Sequence, residues 1–179
     1  MSTLQRVFTN VRTHKQIVQP KPVSVLKPYG GEAMISETDK DGIITYVNRR
    51  FSDFVGYTRK ELIGMPHAII RHPDMPKGLY KAMWEILGRK KVWRGYIKSL
   101  CKDGSSFWAL VYIQPKLDEN GEVIGYVANR RDAYPNAIWE VEAKYAALRS
   151  DAHIDDPYFR RYELYLGQDM ASFDKRQIV

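Results

Sequence analysis

An α+β fold, with a five-stranded antiparallel sheet carrying its helices on one face, is the class this sequence predicts. Three observations predict it. Two short stretches rich in β-branched residues are separated by the turn Lys40-Asp41-Gly42. A cluster of short capped helical segments and one longer amphipathic helix follow. Three long alternating stretches then come in succession, joined by Asp-Gly and Asn-Gly turns, the strongest local signals for an antiparallel meander.

Taken in order, residues 1–28 are basic and carry Pro20, Pro22 and Pro28. They read as an N-terminal arm, helical over Leu4 to Val18 and then extended. The compact domain is expected over 29–133, beginning at Tyr29-Gly30-Gly31. Ala33 to Asp39 and Ile43 to Val47 are its first strands. Asn48 caps a helix over Arg49 to Val55, which Gly56 ends. Thr58 caps a second short helix, with Glu61 at the capping-box position. Gly64-Met65-Pro66 breaks it, and a helical turn covers His67 to Ile70. Lys77 to Lys90 is a helix whose apolar face is Leu79, Met83, Trp84 and Leu87. The three long strands are Trp93 to Cys101, Ser106 to Lys116 and Glu122 to Arg131. Pro135 opens a C-terminal helix within 134–150. Residues 151–179 form a polar tail with an aromatic stretch from Tyr158 to Leu166.

Of the 179 residues 44% are apolar, enough for one real core. The net charge of +7 is concentrated in the first 30 residues, at Arg49-Arg50 and at Arg89-Lys90-Lys91. No basic helix interleaved with aromatics appears, so the excess reads as a solvated surface and not as a nucleic-acid site. The single cysteine, Cys101, rules out an internal disulfide and a cysteine-based zinc site. No stretch approaches the ~18 apolar residues of a membrane span, and the N-terminus lacks an apolar leader. The expectation is a soluble cytoplasmic protein, with membrane contact only through a partner. No nucleophile elbow, phosphate-binding glycine loop or kinase signature is present, and no catalytic or metal-ligating residue is assigned.

The densest chemistry is the hexapeptide Arg71-His72-Pro73-Asp74-Met75-Pro76. Each proline fixes its own φ and pushes the residue before it toward extended geometry. A cation, an imidazole and a carboxylate therefore project from a stiffened loop. Such a loop can hold a polar ligand such as a phosphate, with Arg71 pairing bidentately either with that ligand or with Asp74. A polar capping loop is the structural alternative.

These words in this order resemble a PAS domain, and more narrowly the PAS domain of bacterial aerotaxis receptors. The resemblance runs from about Ala33 to Arg131. It rests on Ile44-Thr45-Tyr46-Val47-Asn48, Gly56-Tyr57-Thr58 before Glu61-Leu62, Gly64-Met65-Pro66-His67, the hexapeptide leading to Met83-Trp84, and Lys102-Asp103-Gly104. The resemblance implies a redox sensor that binds FAD non-covalently between sheet and helices and catalyses no turnover. It further implies that Asn48, Arg71, His72 and Asp74 support FAD, and that Trp84 walls the pocket. Family members often carry Asn where this chain has Ser99. By strand alternation Trp93, Gly95, Ile97 and Ser99 share one face, so Trp93 and Ser99 are placed toward the ligand. Asn129, on the phase of Val123, Gly125 and Val127, is placed there too.

The same resemblance puts Phe107, Ala109, Val111 and Ile113 toward the pocket. Trp108, Leu110 and Tyr112 then form an apolar outer face, and Tyr126 and Ile124 are assigned to it from the next strand. A face of this size needs a cover: the arm, the C-terminal helix, a second copy or a partner receptor. The implied partner is a chemoreceptor or other signalling protein on a separate chain, with homodimerisation expected. Cys101 lies outside the helical segment that photosensing flavin domains use, so no photochemical adduct is expected. Two other readings of the same fold remain: a haem-based gas sensor using His67 or His72, and a ligand-free docking module.

Overall fold

The structure, a computed structural model, describes residues 5–149. Its elements in chain order are β1 (Val7–Thr9), β2 (Gln16–Val18), β3 (Met34–Asp39), β4 (Ile44–Val47), α1 (Arg49–Val55), α2 (Arg59–Leu62), a 3₁₀ turn (His67–Ile70), α3 (Lys77–Gly88), β5 (Trp93–Leu100), β6 (Ser106–Leu117), β7 (Val123–Arg131) and α4 (Pro135–Ala147). The expected aromatic stretch from Tyr158 to Leu166 lies outside the described residues. The α+β class holds: β3 to β7 form one antiparallel sheet in the order β4-β3-β7-β6-β5.

Local chemistry sets the helix starts and stops. The Asn48 side chain accepts from Phe51 N–H at 3.0 Å, and Gly56 ends α1 at φ 80°, a conformation that disfavours any side chain. Thr58 and Glu61 form the full capping box of α2.

The N-terminal arm departs from expectation. Residues 7–18 form a β-hairpin, Val7 pairing with Val18 and Phe8 with Ile17, and not a helix. Asn10 decides this. Its Oδ1 accepts from Arg12 and Thr13 N–H and so builds the turn, while its Nδ2 donates to the Glu61 and Ile63 carbonyls. Farther on, the Gln19 amide donates to the Ile69 carbonyl at 2.7 Å and the Arg71 carbonyl at 3.0 Å. The hairpin gains partners in the helical cluster that an isolated segment cannot have.

Each face of the sheet is buried against a different layer. Residues paired across antiparallel strands share a face. Trp93, Gly95, Ile97 and Ser99 of β5 pair with Ile113, Val111, Ala109 and Phe107 of β6. This set faces the short helices and α3, where Phe51, Leu62, Leu79 and Ile86 complete the main core. The opposite face is covered by α4: Trp108 lies 6.1 Å from Tyr145 between ring centroids, and the Tyr145 hydroxyl donates to the Tyr96 carbonyl at 2.9 Å. Trp108, Leu110 and Tyr112 are thus buried beneath this chain's own helix and are not an exposed docking surface.

The phase expected for β7 is corrected. Lys116 pairs with Gly125 and Leu117 with Val123, which leaves Ile124 as the extra residue of a β-bulge. One extra residue shifts every side chain beyond it to the other face. Tyr126, Ala128 and Arg130 therefore face the helices, while Asn129 pairs with Tyr112 on the α4 side. Asn129 does not face the pocket, and Tyr126 does not belong to the outer face.

Candidate functional site

Between the inner face of the sheet and the helical layer lies a cavity of about 210 Å³. Its apolar walls come from Ile70, Met83 and Leu87 on one side and Val111, Ile113 and Ala128 on the other. Trp84 and Tyr126 meet edge-to-face at 5.2 Å at its rim, beside Gly42. Trp84 is 43% exposed, so it is a wall of the cavity and not a core residue.

The polar lining converges from distant parts of the chain. Arg130 is 3% exposed. Its guanidinium donates to Ser36 Oγ at 3.1 Å and to His67 Nε2 at 2.9 Å, and its flank rests on the Phe51 ring at 4.8 Å. Ser36 Oγ also lies 3.1 Å from His67 Nε2. Burial, and then the adjacent Arg130 charge, pushes His67 down to about 3, so its imidazole is neutral and accepts from Arg130. Burial also lowers Arg130, to about 10, which leaves it charged at neutral pH. Among the described residues no carboxylate pairs with it. Arg71 also lines the cavity, its guanidinium 3.1 Å from the Tyr80 ring centroid. It pairs with Tyr80 and not with Asp74. The cavity therefore carries two guanidinium charges with no acid inside, apart from exposed Asp41 at its edge. That field favours an anionic or oxygen-rich ligand.

The eight residues singled out from the sequence as ligand contacts separate into two groups. Arg71, Trp84 and Ser99 line the cavity, as do Val111 and Ile113, which were placed toward it, and His67. The other five ligand candidates do not. Asn48 caps α1 while its side chain accepts from Ile35 N–H at 3.1 Å and donates to the Ala33 carbonyl at 2.9 Å, so it fastens α1 to β3. The Trp93 indole folds over Gly95, where any added Cβ would meet the ring at 2.5 Å. His72 is buried, and its Nδ1 accepts from Asp74 N–H at 3.1 Å; burial holds it down to about 4. The Asp74 carboxylate points to Lys98 and Arg149. Ser36 and Arg130 went unseen in the sequence. The only available signal for Arg130 was a strand register that the bulge conceals.

A sheet of this order with a ligand-sized cavity under its helical layer is the PAS fold, and residues 44–130 match the family described as "PAS fold". Over these residues the chain has the PAS fold and is similar to signalling proteins. It is 38% identical over 117 residues to the aerotaxis receptor of Escherichia coli (strain K12), a match covering 65% of this chain and 23% of the receptor. It is 32% identical over 98 residues to the nitrogen fixation regulatory protein of Klebsiella pneumoniae, covering 55% of this chain and 20% of that protein. Among solved structures, the PAS domain of a Colwellia psychrerythraea protein superposes with a TM-score of 0.53 at 26% identity, covering 56% of this chain and 86% of that one. The matched region spans less than a quarter of the length of these two curated relatives. Among the described residues no helix is long and apolar enough to cross a membrane.

Proposed function

We propose that this protein is a redox sensor that holds FAD non-covalently in the cavity and relays its oxidation state to a signalling partner in energy taxis. In the aerotaxis-like reading that partner is a chemoreceptor on a separate chain, and the sensor turns over no substrate. The observation that carries the reading is the buried guanidinium of Arg130, which faces the cavity with no carboxylate partner among the described residues. A buried cation is costly unless something compensates it. The carbonyl-rich edge of a flavin ring is a ligand of the right chemistry, and Arg71 supplies a second donor for ring oxygens or phosphate. Ser99 presents a hydroxyl and Trp84 a ring face at the mouth. The bound flavin supplies reversible electron uptake; the protein's part is to hold Arg130 charged and His67 neutral beside it.

Haem is the weaker reading on this geometry. Among the described residues only His67 brings an imidazole to the cavity, and its Nε2 is already engaged by Arg130 and Ser36. Electronic absorption of the freshly purified protein, followed by heat release of the chromophore, tests the assignment. Paired flavin bands that bleach with dithionite, and released FAD, are expected. A Soret band would transfer the site to haem. A colourless protein that takes up neither FAD nor haem would leave a docking module.

A further inference from the structure

The hexapeptide lies along the free edge of β5. Arg71 bridges to Ser99 in antiparallel fashion, and Lys98 N–H donates to Met75 Sδ at 3.4 Å. The two ends of its chemistry face opposite ways. The Arg71 side chain enters the cavity. Three residues later the Asp74 carboxylate meets Arg149 Nη2 at 3.7 Å and Lys98 Nζ at 4.0 Å, and Arg149 Nε donates to the Asp74 carbonyl at 3.1 Å. Lys98 Nζ in turn reaches Glu142 of α4 at 3.7 Å. Within the loop, His72 accepts from Asp74 N–H, and Met75 N–H donates to the His72 carbonyl at 3.2 Å. The imidazole is thus a brace inside the turn and has no face on the cavity. Arg149 lies just past the last residue of α4, so the ion cluster fastens the C-terminal end of that helix.

We infer that His72 and Asp74 are positioning residues: the hexapeptide is a latch that joins the cavity wall at Arg71 to the C-terminal end of α4, so that ligand binding and α4 docking form one coupled equilibrium. The inference rests on the flavin reading only for the identity of the ligand. By linkage, a ligand that draws Arg71 into place must tighten α4, and loosening α4 must weaken the ligand to the same degree. The ion pairs are half-exposed, so the coupling is modest, about two- to fivefold in affinity.

The test uses the full chain as wild type, Asp74→Asn, Arg149→Gln and the double variant. FAD affinity is measured for each, with amide hydrogen exchange in the presence and absence of FAD. Both single variants should bind FAD about two- to fivefold more weakly. The double variant should be no weaker than the single ones, because both changes remove the same contact. FAD should slow exchange in the last turns of α4 in the wild type and lose that effect in Arg149→Gln. Wild-type affinity in Arg149→Gln together with a large loss in Asp74→Asn would make Asp74 a direct ligand contact and overturn the latch. FAD binding with no change in α4 exchange would overturn it as well. If the wild type takes up no FAD, the flavin reading fails, and the latch is judged on exchange alone. In that case Arg149→Gln must still speed exchange at the Asp74 and Met75 amides; wild-type rates there would refute it.

Discussion

The two faces of the central sheet are buried in different ways. The α4 side is closed by complementary apolar packing, with Trp108, Leu110 and Tyr112 under Val141, Tyr145 and Leu148. The helical side is closed around its edges but keeps a cavity, and it places a guanidinium there that contacts a neutral imidazole, a hydroxyl and a phenyl ring and, among the described residues, no carboxylate. Packing density supplies the stability on one face; on the other, part of the packing is given up for a charged, ligand-ready space. The hexapeptide at the β5 edge is the place where the two faces touch.

Breaking the packed face should produce the largest effect. Trp108→Ala removes a buried indole from beneath Tyr145 and should cost about 3–5 kcal/mol of unfolding free energy, with loss of α4 docking. Urea denaturation, together with protease sensitivity near Pro135, measures both; a change under 1 kcal/mol, a figure of the order of a surface substitution, would mean that α4 contributes little on that face.

The cavity face should respond in the opposite sense. Arg130→Met deletes a buried charge that has no carboxylate partner among the described residues, so the melting temperature of the ligand-free domain should hold or rise. FAD affinity should nevertheless fall by more than about tenfold, or ~1.4 kcal/mol. A lower melting temperature with unaltered FAD binding would show Arg130 to be structural.

Acid should sharpen the contrast by the smallest step. His67 is held at about 3 against an ordinary value of 6.5, so below pH 6.5 the unfolded chain binds a proton that the folded one refuses. Stability contributed by the neutral buried imidazole is complete above pH 6.5 and is lost progressively as pH falls toward 3. The slope is at most about 1.4 kcal/mol per pH unit for one such group. His67→Asn should flatten that part of the pH–stability curve, read by thermal melts between pH 4 and pH 7; an unaltered slope would place the acid sensitivity elsewhere, His72 being next.

Much of the scaffold was legible because its signals are local. Asn48, Thr58 with Glu61, Gly56 and the Asp-Gly turn each act within a few residues, so the strands and helices from β3 onward fall where expected to within a residue or two. The cavity was partly legible: Arg71, Trp84 and Ser99 follow from the resemblance and from alternation on β5. The phase of β7 was not. Both faces of that strand are buried, so Val123, Gly125 and Val127 read as apolar as Tyr126 and Ala128, and alternation alone cannot choose between them. The N-terminal hairpin was equally hidden, since three-residue strands carry no usable period and Asn10 finds its partners more than 50 residues away.

The sequence by itself determined the α+β class, the order of the elements, the helix caps and a stiff, charged hexapeptide, because each is encoded by residues that act on their immediate neighbours. Only the tertiary structure decided which face each charge serves. The single extra residue at Ile124 brings Arg130, and not Asn129, to Ser36 and His67, and the pairing of the β5 edge turns Asp74 away from the cavity toward α4. Register and layer packing are non-local quantities: they are set by which strands meet and what covers them, and one residue of slip exchanges a ligand-facing side chain for one on the opposite face.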